Sequence, residues 1–260
     1  MKKKILISFG LAVLVILSAS AAFVLHFVGV SLSVGPFYSP KGVTMESNEN
    51  YNKANTALHQ GRTEEALIFM KEAEKDGYRH PFIFSNLAVE SMAKGKYDEA
   101  LRYSGRAVEV IESGNISVMF PNELEMFKTE NRPKIEADLY SIHAASLYEL
   151  GRLDEAEAFA EKAYDLHEDN PRTREVLGLV ALQKSDYEKA ISIFKDFTDK
   201  VPNYYQGYFH LGRAQLASGR FEEGKASLSK FLTYCPPFHL NAQVARSLLQ
   251  EAETEETTSQ

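Results

Sequence analysis

The sequence predicts an all-α protein, an array of helical hairpins behind an N-terminal membrane segment. Five short segments share one form: Gly61-Arg-Thr-Glu-Glu-Ala66, Gly95-Lys-Tyr-Asp-Glu-Ala100, Gly151-Arg-Leu-Asp-Glu-Ala156, Ser185-Asp-Tyr-Glu-Lys-Ala190 and Gly219-Arg-Phe-Glu-Glu-Gly224. Their starts lie 34, 56, 34 and 34 residues apart. Small residues recur at fixed offsets on both sides of each segment. The third observation is a gap in the charge pattern: residues 5–40 contain no Lys, Arg, Asp or Glu.

The N-terminus comes first in the chain. Lys2-Lys3-Lys4 precedes a predominantly apolar run from Ile5 to about Val28, in which only His26 is polar enough to object to a membrane. A hydrocarbon core of about 30 Å needs about 20 apolar residues, so residues 1–28 read as a single-pass transmembrane helix. The positive-inside bias keeps the lysines cytoplasmic and places the body outside the cytoplasm. Ile5–Leu17 followed by Ala19-Ser20-Ala21 also fits a cleaved signal peptide, which would make the protein secreted or periplasmic. The anchor is the preferred reading, because cleavage would leave the apolar stretch from Ala22 to Leu32 at the new terminus. Residues 29–46, with Gly35-Pro-Phe-Tyr-Ser-Pro-Lys-Gly42, read as a stiff, turn-rich linker.

Each of the five segments reads as the turn of a hairpin. Glycine accepts the left-handed backbone that ends one helix, and the acidic pair opens the next, where the helix dipole favours negative charge. Seven residues before the turn stand Ala54, Ala88, Ala144, Gly178 and Gly212; five after it stand Ala66, Ala100, Ala156, Ala190 and Gly224. Small residues at both places let two antiparallel helices cross closely. Leu87, Leu177 and Leu211 occupy a core position eight before the turn, where Lys53 and His143 depart from the pattern. Prolines 81, 171, 202 and 236 fall between units, where helices stop or start.

This pattern resembles the tetratricopeptide repeat (TPR) family, whose unit is a 34-residue helix-turn-helix, although the family's tryptophan position is unfilled because the chain has no Trp. The resemblance implies a right-handed TPR solenoid of five repeats (47–80, 81–114, 137–170, 171–204 and 205–238) within a domain at 47–252. An insertion at 115–136 breaks the period and carries Met119-Phe120-Pro121 and Leu124-Glu-Met126-Phe127. Residues 239–252 read as a C-terminal capping helix, with Leu240, Val244, Leu248 and Leu249 on one face, as an open-ended solenoid requires. Residues 253–260 read as a disordered acidic tail.

The resemblance also implies that the first helices of successive units line a concave groove that takes an extended or helical peptide. Counting offsets from the turns, the groove candidates are Asn55, Val89, Tyr148, Arg172, Leu179, Phe209 and Arg213. Leu58, Leu182 and Leu216 sit at a groove offset and equally suit the core. The lining is neutral to apolar, which suits an apolar or amphipathic protein segment. The cation pairs of a chaperone carboxylate clamp are missing in every register.

Several function classes are disfavoured. Without the three N-terminal lysines the chain has 26 basic and 36 acidic side chains, a net charge of −10, which argues against nucleic acid. One cysteine, Cys235, builds neither an internal disulfide nor a structural zinc site. The seven histidines show no metal-ligand spacing. There is no phosphate loop or nucleophile elbow, so no catalytic residue, metal or cofactor is assigned. The expected function is a non-enzymatic, membrane-anchored protein-interaction scaffold. The alternatives are a secreted form of it or a regulatory subunit of an enzyme complex.

Overall fold

The computed structural model describes residues 25–27, 30–32, 43–127, 130–236 and 238–258. Among them are twelve α-helices and four three-residue strands. Most of the expected membrane helix, residues 1–24 and 28, lies outside the described residues. At its end Leu25–Phe27 (β1) pairs antiparallel with Val30–Leu32 (β2), so these positions are extended and not helical. Among the described residues, no helix is long and apolar enough to cross a membrane.

The chain divides into two compact units. The first comprises Met1–Ile83 with Glu109–Arg132, and the second Phe84–Val108 with Pro133–Gln260. In the first unit, α1 (Glu49–His59) and α2 (Thr63–Lys75) form a hairpin. Ala54 and Ala66, the small residues flanking its turn, are fully buried. Val43–Met45 (β3) lies inside the expected linker, yet it pairs in parallel with Ile116–Val118 (β4) of the insertion. The physical reason is burial of β-branched side chains: Val43, Ile116 and Val118 are almost completely removed from solvent.

Other described residues of the insertion are also structured. Pro121–Met126 forms a short helix, α5, whose N-terminal proline and Glu123 suit a first turn. The Glu123 carboxylate accepts from the backbone N–H groups of Met119 and Phe120 (2.8 and 3.0 Å) and from the Tyr51 hydroxyl of α1 (2.6 Å). Phe127 is buried against the rings of His80 and Phe82. The insertion ends earlier than the repeat period suggests, because α6 (Arg132–Glu149) already begins at Arg132.

Helices α3 (Pro81–Ala93) and α4 (Tyr97–Ser113) contribute residues to both units. In the second unit, α6 and α7 (Leu153–Leu166), α8 (Pro171–Gln183) and α9 (Tyr187–Lys200), and α10 (Tyr205–Ala217) and α11 (Phe221–Tyr234) form three consecutive hairpins. Helix α12 (Leu240–Thr258) follows them. Gly178 shows how tightly these cross, since a Cβ built there would stand 2.4 Å from the Phe194 ring. Gly212 faces Leu228 and the Gly224 carbonyl, and a Cβ on Gly224 would meet Leu216. Gly224 is therefore a packing requirement of the α10–α11 crossing.

All five turns close in the same way. Gly61, Gly95, Gly151, Ser185 and Gly219 all have φ between +61° and +81°. The N–H of the following residue reaches back to a carbonyl five residues earlier, as in Arg62 to Ala57 and Arg220 to Gln215. This is the Schellman arrangement, which satisfies carbonyls at a helix end. Ser185 is the non-glycine among the five, in a backbone region that costs an L-residue about 1–2 kcal/mol. Ser185→Gly is expected to stabilise the protein by about 0.5–1 kcal/mol, less than the full relief because glycine loses more entropy on folding. Urea unfolding with an unchanged m-value checks this.

Two features of the C-terminus depart from expectation. Leu240 and Val244 of α12 are exposed, and the buried side is Ala242, Ala245 and Ala252 with half-buried Leu248 and Leu249. The alanines permit a closer approach than branched side chains would, so the helix turns that face inward. The helix also continues through Thr258, where a disordered tail is expected. Burial of Ala252 fixes the turn from which the glutamate-rich end extends, and glutamate is a good helix former.

Candidate protein-binding face

The first helix of each hairpin in the second unit carries the groove candidates. On α6, Tyr148 is half-buried. On α8, Leu179 and Leu182 are half-buried and pack against the cluster of Ala181, Ala190, Phe194 and Leu211. On α10, Leu216 packs beside Leu228 and Phe231, while Arg213 is exposed. The structure thus places Leu182 and Leu216 in both roles left open by the sequence: they pack on the core and line a cavity.

That cavity has a volume of about 400 Å³ and is walled by α8, α10 and α12 together with Tyr187 and Phe221. Leu182, Leu216 and Leu248 form its apolar wall, and Arg213 and Glu251 are its charged members. Arg213 lies over the Phe209 ring, 5.6 Å from its centroid. Burial raises the Tyr148 hydroxyl above the usual phenol range, and the Arg213 charge acts in the opposite direction. Tyr148 and Arg213, two hairpins apart in sequence, are therefore within electrostatic reach of one another.

Not every candidate belongs to this face. Phe209 is only 4% exposed and packs on Phe231 and His210, so it supports Arg213 from below and offers little contact surface. Its offset lies at the border between core and groove, and the large aromatic ring falls on the core side. Arg172 is exposed at the start of α8, where its charge acts on the Tyr204 hydroxyl. Val89 is exposed on α3 within the second unit. Asn55 belongs to the first unit and interacts with the Tyr51 hydroxyl there.

The acidic residue of α8 is already engaged. Glu175 accepts from the Tyr204 hydroxyl at 3.1 Å and lies 3.6 Å from His210 Nε2. Burial, then the Glu175 charge, raises the Tyr204 hydroxyl. His210 is buried and stacks on Phe194.

A second cavity, about 610 Å³, lies beside the second helices and includes Arg174, Leu177 and Asp196. Its arginine is buried and satisfied within the fold. Arg174 bonds to the Glu168 carbonyl (2.9 Å) and pairs with Asp169 and Asp196 (3.2 and 3.0 Å). That network ties α8 to the preceding loop and to α9. Arg213 has no such ion pair among the described residues, which distinguishes the smaller cavity.

Sequence reasoning missed the contribution of α12 and of Tyr187 and Phe221 to this face, because groove offsets were counted only within first helices of repeats. The apolar pair Leu248 and Ala252, one turn apart, is the signal that could have found the α12 wall.

Comparison with known proteins gives a consistent fold. A tetratricopeptide-repeat family profile matches residues 175–231, and a second matches residues 143–169. No curated protein matches the chain in sequence. Among solved structures, that of MamA protein aligns with a TM-score of 0.51 and 16% identity over 71% of this chain and 89% of that one. YrrB, described as a TPR protein with an unusual peptide-binding site, gives 0.52 and 19% over 78% and 92%. A thermophilic TPR protein of Thermus thermophilus gives 0.50 and 16% over 79% and 97%. At these identities the likeness establishes the fold, an all-α helical-repeat architecture of the TPR kind.

Proposed function

We propose that this protein is a non-enzymatic interaction scaffold that captures an apolar or amphipathic segment of another protein on the face formed by α6, α8, α10 and α12. The observation that carries this reading is the continuity of half-buried apolar side chains at one helical offset, Tyr148, Leu182 and Leu216, ending in the α12 wall at Leu248. Such side chains have core support on one side and solvent on the other. A partner segment would complete their burial at about 25 cal/mol per Å² of apolar surface. The peptide-binding description of YrrB is in keeping with this use of the fold.

Photocrosslinking tests the reading. A crosslinking amino acid at position 148 or 179 is expected to capture the same protein in cells. One at exposed Tyr164, on a second helix, is expected not to. Equal capture from position 164 would overturn the proposal.

The sequence further supports placing this scaffold at a membrane, with the charge-free run that starts at Ile5 as an uncleaved anchor ending before the Leu25–Phe27 strand and the repeats outside the cytoplasm. The charge-free run and the lysine leader carry that part. The Ala19-Ser20-Ala21 segment favours, as the second reading, release after signal cleavage. Intact mass of protein extracted from membranes separates the two, since cleavage removes about 21 residues.

A further inference from the structure

We infer that the α8–α10–α12 cavity selects partner segments that place an aspartate or glutamate side chain against Arg213, next to an aliphatic side chain seated between Leu182, Leu216 and Leu248. This inference rests on the reading of the face as a docking surface and specifies the chemistry of the segment it takes.

Charge complementarity is the argument. The chain is acidic, with 36 carboxylate side chains, yet the exposed Arg213 has no ion pair among the described residues. Several other cations of the same unit are engaged. Arg174 pairs with three carboxylates, Lys184 with Asp154 and Glu157, and Arg220 with Glu188. Arg172, Lys195 and Arg246 share with Arg213 the lack of an ion pair among the described residues, but Arg213 is the one of the four that stands in the apolar-walled cavity. Arg213 also lies over the Phe209 ring, 5.6 Å from its centroid, a contact that favours this position of the guanidinium before any partner arrives. A guanidinium drawn to an aromatic face by its charge still has its N–H groups available for bidentate bonding to a carboxylate.

The surroundings strengthen such a bond. Leu182 and Leu216 line the cavity with Arg213, so a partner that fills it displaces water from around the guanidinium. A charge-assisted hydrogen bond gains strength in that lower dielectric. Glu251 shares the cavity without pairing with Arg213, so an incoming acid does not have to break an internal salt bridge.

The apolar lining determines which carboxylate fits. Apolar side chains share the cavity with Arg213 on two different helices, Leu182 on α8 and Leu248 on α12. A bound segment therefore passes across the arginine, and the residue meeting it is internal to the segment. That favours an acidic side chain over a free C-terminus.

The test uses the full chain and a displayed library of random 16-residue peptides. Enriched peptides whose binding is lost on Leu182→Asp are kept as groove binders, and circular dichroism melting confirms that each variant is folded. These peptides are expected to carry Asp or Glu beside an aliphatic residue. Changing that acid to its amide should weaken binding to the wild-type chain about tenfold and have little effect on Arg213→Gln. A peptide with lysine in place of the acid should regain binding to Arg213→Glu.

Groove binders without an acid, or an acid whose removal costs equally on Arg213→Gln, would overturn the inference and leave the docking face standing. Loss of binding on C-terminal amidation, with the internal acid dispensable, would overturn it in favour of a terminal carboxylate. Enriched peptides that are all indifferent to Leu182→Asp, or no enrichment at all, would sink the docking face and this inference together.

Discussion

Replacing Glu123 by alanine is expected to destabilise the first unit by about 3 kcal/mol. The buried carboxylate satisfies three donors at once: the Tyr51 hydroxyl and the N–H groups of Met119 and Phe120. Each buried donor left without a partner costs about 1–3 kcal/mol, partly recovered as water enters near the half-buried backbone. Glu123→Gln keeps one acceptor oxygen and should lose less. Urea unfolding of the two variants measures the difference. An alanine variant within about 0.5 kcal/mol of wild type would show that the insertion does not depend on this contact.

The same cluster sets an acid limit. His80 is fully buried, and desolvation pushes its imidazole down to about 4, against the opposing charge of Glu123. Its Nδ1 accepts from the Phe82 N–H, and its Nε2 faces the Tyr51 hydroxyl, an arrangement suited to the neutral ring. In the unfolded chain this histidine takes up a proton below about pH 6.5. The folded state refuses it until about pH 4, so stability falls as pH drops from 6.5 to 4 and the loss levels off below that. The slope this residue contributes approaches about 1.4 kcal/mol per pH unit. His80→Phe should remove that slope and leave the titration of the surface carboxylates.

Gly178→Ala is expected to cost about 2–3 kcal/mol through overpacking. The added methyl would stand 2.4–2.8 Å from three atoms of the Phe194 ring, itself completely buried between Ala190 and Leu211. Neither helix can retreat cheaply, because the Schellman turn at Ser185 joins them within a few residues. The diagnostic is compensation: Gly178→Ala with Phe194→Leu should be more stable than the sum of the single changes by about 1 kcal/mol or more. Additive effects would place the strain elsewhere.

The repeat architecture was legible in the sequence because its determinants are local or strictly periodic. A backbone with positive φ leaves a glycine at four of five turns, and a close helix crossing leaves Ala54, Ala144 or Gly212 where a larger residue would clash. The pairing of Val43–Met45 with Ile116–Val118 left no such mark. Its determinants sit more than seventy residues apart, and each strand is only three residues long. Glu123 was equally silent, since a lone glutamate after a proline reads as an ordinary helix start until Tyr51 is found beside it. On the candidate face, Tyr148, Leu179 and Arg213 stand half-buried or exposed at the offsets from which the sequence chose them. Phe209 does not, because an offset fixes a direction on the helix and neighbouring side chains decide what covers it. The α12 wall was hidden for a different reason: the cap does not repeat the unit.

The bond between Tyr51 and Glu123 spans 72 residues, and that has a consequence for how the chain is made. A repeat array can acquire structure as its hairpins leave the ribosome, because each hairpin needs only its neighbour. The α1–α2 hairpin is an exception. Its polar interior is completed by residues that leave the ribosome roughly fifty positions after the hairpin itself, several seconds later at about 5–20 residues per second. During that interval Tyr51 and His80 remain open to water. The α1–α2 hairpin is thus made before α3 and α4 but finished only after both, and its closure must also meet the entropy of a long loop.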